Sequence, residues 1–270
     1  HYPEGFSEWY SHFQADYSWG ADGKNSVKSF EDGLKSLPYT LQQTLENLGL
    51  LNIQQRFPGI NKEQEIFQRF ITTRQINRNG NTVLMPMIEL VNHSPAQASW
   101  NMDDNSIAIK GKYENEILVR YSASDPLRRC LQYGFNCKET FGFSLSIKIN
   151  HYDQKIFVRG GLNHNPLKPV KIELRNGTII IDKPLLGSMN NPRMPKSLLR
   201  QALIKHPEIL SDELFEQIHQ INRIFLIKII NELNCLSGHV PGQIRDACLD
   251  QIEILGKHFG AVPSERLLAK

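Results

Sequence analysis

Side chains suited to ligand chemistry fall in three short, ordered pieces of the chain. Asn92 and His93 end the run Pro86-Met87-Ile88-Glu89-Leu90-Val91-Asn92-His93-Ser94, Tyr121 ends Glu116-Ile117-Leu118-Val119-Arg120-Tyr121, and Tyr133 and Phe135 lie in Gln132-Tyr133-Gly134-Phe135. An amide, an imidazole and a phenol can hydrogen-bond and orient a ligand, while two aromatic rings can enclose a hydrocarbon stem or the face of a cation. Each has a plainer reading on its own: His93 as a satisfied structural histidine, Tyr133 and Phe135 as core aromatics. Their order and spacing carry the argument. Cys130, Cys137, Cys235 and Cys248 form no C-x-x-C pair and no zinc-ligand spacing, so a metal is not implied, and four thiols in a chain this long read as a reduced intracellular set.

The elements that must position these pieces are read from hydrophobic period. Phe6, Trp9, Tyr10 and Phe13 are spaced like one buried helical face, and Gly20, Gly23 and Asn25 suggest a break. Leu41, Leu45 and Leu48 continue at helical spacing to Gly49; after Pro58-Gly59, Asn61 is expected to cap a helix that carries Ile66, Phe70, Thr73 and Arg74 and ends at Asn79-Gly80. Thr82 to Val91 reads as one strand delivering Asn92 and His93 to its end. Ser106–Lys110 and Glu116–Tyr121 alternate around Gly111 like an antiparallel pair with Tyr121 at its tip, and Asp125-Pro126 opens a helix reaching Gln132.

Further strands are expected at Phe141–Ile149, Lys155–Arg159, Val170–Leu174 and Thr178–Ile181, the last two joined by an Asn176-Gly177 hairpin turn. Pro184, Pro192 and Pro195 look like a linker. From Lys196 the period is helical, with Leu214, Ile218, Ile221, Phe225, Ile229 and Leu233 in one stripe behind Ser211 as N-cap; Gly238 and Pro241 close that helix and Ile244–Phe259 supply another.

At 270 residues the chain has length for one large domain or two medium ones, and its net charge of +3 is spread rather than clustered, which gives no argument for nucleic acid. The longest apolar candidate, Ile224-Phe225-Leu226-Ile227, is interrupted by Lys228, so no membrane partner is expected. His1 opens the sequence with no visible secretory signal, and Pro95 follows the sequon-like Asn92-His93-Ser94, so glycosylation is a poor explanation of it.

The three pieces together resemble the C-terminal half of a SET methyltransferase domain, closest to the branch typified by Rubisco large-subunit lysine methyltransferase. The resemblance implies an α+β fold: a SET-like domain over residues 1–150, with a helical insert in 1–79 and the SET core in 80–150, then a β-containing connection and a mainly helical substrate-binding lobe over 151–270. It implies S-adenosyl-L-methionine as cofactor and a folded protein as substrate, in the cytoplasm or nucleus. By the same resemblance Tyr121 is the catalytic tyrosine; Asn92, His93 and Arg74 border the cofactor; Tyr133 and Phe135 complete the pocket; and Thr73, Ile76 and Glu89 face the substrate side.

Methyl transfer to lysine requires alignment of amine, methyl and sulfur, and a weakly polar channel that favours the neutral form of an amine whose ordinary pKa is about 10.4. Ile76 stands where histidine-directed relatives carry Asn, which favours lysine. Two departures from the pattern stand out. Glu89 occupies a position where lysine-methylating relatives place the shorter Asp, and the family's Gly-x-Gly segment is not found in residues 1–60; Trp19-Gly20-Ala21-Asp22-Gly23 has the wrong spacing. These keep open a catalytically degenerate SET-derived binding module and, more distantly, a histidine or small-molecule methyltransferase.

Overall fold

The computed structural model describes residues 4–5, 8–9, 12, 21–56, 59, 61–78, 81–85, 88, 91–102, 106–109, 111, 114–163 and 165–259. Helices α1 (Ala21–Lys35), α2 (Tyr39–Asn47), α3 (Ile53–Arg56) and α4 (Lys62–Arg74) precede strands β1 (Ile76–Arg78), β2 (Asn81–Val83), β3 (Asn92–His93), β4 (Asn101–Met102), β5 (Ile107–Ala108) and β6 (Leu118–Val119). Helix α5 (Pro126–Tyr133) follows, then β7 (Phe141–Phe143), β8 (Ile147–His151), β9 (Gln154–Arg159), β10 (Ile172–Arg175), β11 (Thr178–Asp182) and β12 (Leu185–Ser188), and finally α6 (Met194–Ala202), α7 (Ser211–Asn234) and α8 (His239–Gly256). This is the mixed α and β content expected of the sequence. No helix among the described residues is long and apolar enough to cross a membrane.

The chain divides into two compact units, one of residues 1–37 and 53–121, the other of 38–52 and 122–270. The first unit therefore stops at Tyr121, and residue 150, where the sequence suggests a boundary, lies inside β8 of the second.

In the first unit α1 packs on α4 and buries Phe30, Leu34, Ile66 and Phe70. Asn61 caps α4 as expected, its side-chain oxygen accepting the backbone N–H groups of Glu63 and Gln64 at 2.9 and 3.2 Å. Glu31 accepts from Arg56 at 2.6 Å and lies 3.1 Å from Arg69, joining α1 to α3 and α4. Several expectations need correction here. Gly23 and Asn25 lie within α1 rather than in a break, because tertiary burial outweighs a propensity cost of about 1 kcal/mol. Helix α4 ends at Arg74, and Ile76–Arg78 pairs antiparallel with Asn81–Val83 in place of a helix running to Asn79. Trp9 is 47% exposed; Phe6, Tyr10 and Phe13 lie outside the described residues.

Thr82–Val91 is not one strand either: β2 stops at Val83 and Ile88 sits in a 3₁₀ turn. Among the described residues the strands around Gly111 do not pair with each other. β5 pairs antiparallel with β4, and β6 pairs parallel with β3. Alternation identifies a strand and its faces but does not choose its partner.

In the second unit, β10-β11-β9-β8 form a four-stranded sheet in which β11 and β9 run parallel and the other neighbours antiparallel. The β10–β11 hairpin turns at Asn176-Gly177, whose φ angles of 48° and 72° are both left-handed, as a type I′ turn requires. Ile147, Ile149, Ile156, Val158, Ile179 and Ile181 are buried along these strands, alternating with less buried neighbours. Phe141–Ile149 is divided into β7, paired with β12, and β8. The stretch expected as a linker holds β12 and opens α6, where Pro195 sits in the first turn and its missing N–H costs nothing.

Helix α2 buries Leu41 and Leu45 as expected, and Gly49 beyond it has φ +70°. Long helix α7 packs against α8, which also packs on α5, β7 and β12. The expected stripe of α7 is buried at Leu214, Ile218, Ile229 and Leu233 and half-buried at Ile221 and Phe225. A second row, Phe215, His219, Asn222, Leu226 and Ile230, is buried as well, because the helix is covered on two sides. Ser211 is the first helical residue rather than the cap, which is Leu210. Gly238 and Pro241 begin α8 instead of closing α7: Gly238 takes φ +118° and Pro241 sits in the first turn.

Candidate functional site

Asn92, His93 and Tyr121, separated by 28 residues, come together in the first unit through a parallel pairing of two very short strands. Asn92 lies opposite Leu118 and His93 opposite Val119. Ser94 N–H donates to the Val119 carbonyl at 2.9 Å, Arg120 N–H to Ala98 at 3.0 Å, and Ser99 bridges Arg120 in parallel. The Arg120 guanidinium donates twice to the Pro95 carbonyl, at 3.0 and 2.7 Å. Two-residue strands supply few ladder bonds, so these contacts are what hold the Ser94–Trp100 segment against the end of β6 and fix the backbone on which Tyr121 sits.

The phenol of Tyr121 donates to the Val91 carbonyl at 2.6 Å. With its hydrogen committed there, the oxygen faces any further partner as an acceptor. The backbone N–H of the same residue donates to His93 Nδ1 at 3.1 Å. Nδ1 therefore accepts through its lone pair, and the proton of the neutral imidazole is on Nε2. The His93 and Tyr121 ring centroids are 5.1 Å apart and tilted, while Trp100 lies 6.3 Å from Tyr121 with the planes within 10°. Val91 is buried and the three rings are half-buried, so one hydroxyl is held between ordered neighbours at the edge of solvent.

Asn92 is exposed and its side-chain amide donates to Glu116 Oε1, which leaves the amide oxygen and the carboxylate side by side as acceptors. Thr73 and Arg74, at the C-terminal end of α4, form a second group. The Thr73 hydroxyl donates to Phe70 at 2.9 Å, Arg74 donates to the Thr73 oxygen at 3.3 Å, and its guanidinium lies 3.9 Å from the Phe70 ring centroid. Both are half-buried. Ile76, also half-buried, opens β1 opposite Val83. Glu89 lies outside the described residues.

Tyr133 and Phe135 belong to the second unit. Tyr133 is the last residue of α5 and Gly134 caps it with a left-handed φ of 77°, which returns Phe135 toward Tyr133 at 5.9 Å between ring centroids. The Arg129 guanidinium lies 5.1 Å from the Tyr133 ring, pairs with Glu139 at 2.6 Å and donates to the Ser122 carbonyl at 2.9 Å. This pair is fully buried. Burial, followed by the neighbouring Glu139 carboxylate, pushes the Cys137 thiol up to about 11, so it is a poor nucleophile at neutral pH.

Sequence reasoning missed three contributors to the first group: Trp100, the Val91 carbonyl and the Glu116 carboxylate. A tryptophan in the otherwise polar stretch Gln97-Ala98-Ser99-Trp100-Asn101 is a signal that composition offers. The carbonyl carries no side-chain signal at all. Comparison with protein-family models, with curated proteins and with solved structures finds no match to this chain.

Proposed function

We propose that the protein is an S-adenosylmethionine-dependent protein-lysine methyltransferase of the SET type, with Tyr121 as its catalytic tyrosine. The observation that carries this reading is the tertiary meeting of the Asn92-His93 segment with Tyr121, whose hydroxyl is anchored on the Val91 carbonyl beside it. The resemblance to SET domains joins these same residues in one site.

The residues present fit a cationic methyl donor. Phenol and carbonyl oxygens suit the polarised C–H groups of a sulfonium methyl, and the Asn92 amide oxygen with the Glu116 carboxylate suits an α-ammonium group. S-adenosylmethionine, when bound, would supply an electrophilic sulfonium methyl for transfer to the neutral amine, with the thioether as leaving group and the amine's proton lost to solvent. In this reading the Tyr121 oxygen accepts from the lysine amine and directs its lone pair, His93 fixes the tyrosine backbone through Nδ1, and Trp100 limits the ring's motion. Positioning of this kind accounts for most of the acceleration in such a displacement. Helices α7 and α8, by position and apolar period, supply the lobe for a folded protein substrate.

Calorimetric titration with S-adenosylhomocysteine tests the cofactor site: micromolar saturable binding that weakens in Asn92→Ala is expected. In an active preparation Tyr121→Phe lowers turnover by about 100-fold or more, a loss in the range of other positioned catalytic groups. Unchanged turnover refutes the assignment. The missing Gly-x-Gly segment and Glu89 motivate a second reading, a binding module without catalysis, for which a tight protein partner and no cofactor binding is the expected result.

A further inference from the structure

A cleft in the second unit, remote in sequence from the residues above, carries its own chemistry. It is open, has a volume of about 390 Å³, and lies between the turn that precedes β10 and the end of β11; its polar lining includes Asn163, Asn165, Lys168, Lys171, Asp182 and Lys183. Its charges are not equivalent. Asp182 is paired with Arg159 at 3.1 Å, and Lys171 with Glu173 at 2.5 Å. Among the described residues Lys168 and Lys183 have no ion-pair partner, and both line this one concavity.

The walls are built rather than incidental. Lys183 has a left-handed φ of 52°, and its N–H donates to the Arg159 carbonyl at 2.8 Å. Its aliphatic stem lies across Gly161: a β-carbon there, where φ is +142°, would sit 3.1–3.4 Å from Cε, Cγ and Cδ of the lysine. The glycine therefore clears the path along which the lysine reaches the cleft. Asp182 N–H donates to the Lys171 carbonyl at 3.0 Å, tying the two walls together, and Lys168 N–H donates to Asn165 at 3.1 Å. The Asn163 side-chain oxygen is occupied by the N–H of Asn165 at 2.9 Å, so the group Asn163 offers a ligand is its amino donor.

We propose that this cleft binds a small ligand carrying a phosphate group, with Lys168 and Lys183 as its charge partners and the Asn163 amide as an additional donor. Lysine ammoniums suit phosphate as point charges, and a dianion relieves the repulsion between two cations. A concavity of this size is in the range that encloses small molecules. The proposal is independent of the methyltransferase reading.

The test is titration of the full chain with inorganic pyrophosphate at low salt, read by calorimetry and by amide chemical-shift mapping. Saturable binding is expected, with shifts confined to residues 161–171 and 182–183 and affinity falling with added salt. Lys183→Gln, which keeps most of the stem, and Lys168→Gln should each weaken binding by about fivefold, whereas Lys171→Gln, whose ammonium is held by the Glu173 carboxylate that it shares with Arg175, should change it by less than about twofold. Absence of saturation, or equal losses in all three variants, overturns the proposal. A glutamate-rich peptide that competes as well as pyrophosphate at equal charge also overturns it, since the cleft would then be a general surface for acidic protein.

Discussion

Acid should destabilise this protein through the buried imidazole of His219 on α7. Its side chain is fully inaccessible and one ring nitrogen, Nε2, lies 2.9 Å from the Leu255 carbonyl. The ring packs 6.0 Å from Phe215 and 5.9 Å from His258, with Arg223 and Glu216 as the nearby charges. Burial is the largest influence and lowers its pKa from 6.5 to about 4; the carbonyl opposes this, and the positive charges of His258 and Arg223 add to it. Because the folded value lies below the unfolded one, the unfolded chain binds more protons between them, and stability is lost as pH falls from 6.5 toward 4. Linkage puts the loss at about 2 kcal/mol at pH 5 and about 3 kcal/mol at pH 4, with almost none at pH 7. His219→Gln keeps a donor for the carbonyl and removes the titration. Urea denaturation of both proteins across this range separates the effect from that of the carboxylates, which are common to both. A wild-type-minus-variant difference that stays flat within about 0.5 kcal/mol from pH 7 to pH 4.5 refutes the reasoning.

Two further outcomes follow from the buried polar groups of the second unit, both read from urea midpoints. Asn222 accepts from Leu145 N–H at 2.7 Å and donates to Ser144 Oγ and the Ile218 carbonyl, so Asn222→Leu strands a buried backbone donor and should cost about 2–4 kcal/mol, against about 1 kcal/mol for Ser144→Ala. Glu139→Ala removes the carboxylate paired with the inaccessible Arg129 guanidinium and should cost about 3–5 kcal/mol, whereas replacing both partners with apolar residues of similar volume should cost far less.

Local chemistry was legible wherever the relevant contacts lie close in sequence. Asn61 caps α4, Asp125 caps α5 by accepting from Arg128 N–H at 2.8 Å, and Asn176-Gly177 turns the β10–β11 hairpin, because each depends on φ angles or hydrogen bonds within a few residues. The leucines of α2 and the apolar stripe of α7 were legible for the same reason: helical period reports burial without reference to the partner. The α and β content and the candidate phenol, imidazole and amide also came from the amino-acid order alone.

What the chain order does not contain is which distant surfaces meet. Strand β6 pairs with β3 rather than closing a hairpin around Gly111, and this choice sets His93 against the backbone of Tyr121. The Val91 carbonyl accepts the Tyr121 hydroxyl, yet a carbonyl is common to every residue and leaves no trace in composition. His219 and Asn222 look like polar interruptions of an apolar helix until α8 and the 144–145 backbone cover them and supply their partners. Parallel pairing, two-sided burial of a helix and the satisfaction of buried polar groups are all properties of non-local contacts, whose closure entropy is offset only when the whole core assembles. Sequence sets the residues that are available to the site, and tertiary packing sets their distances.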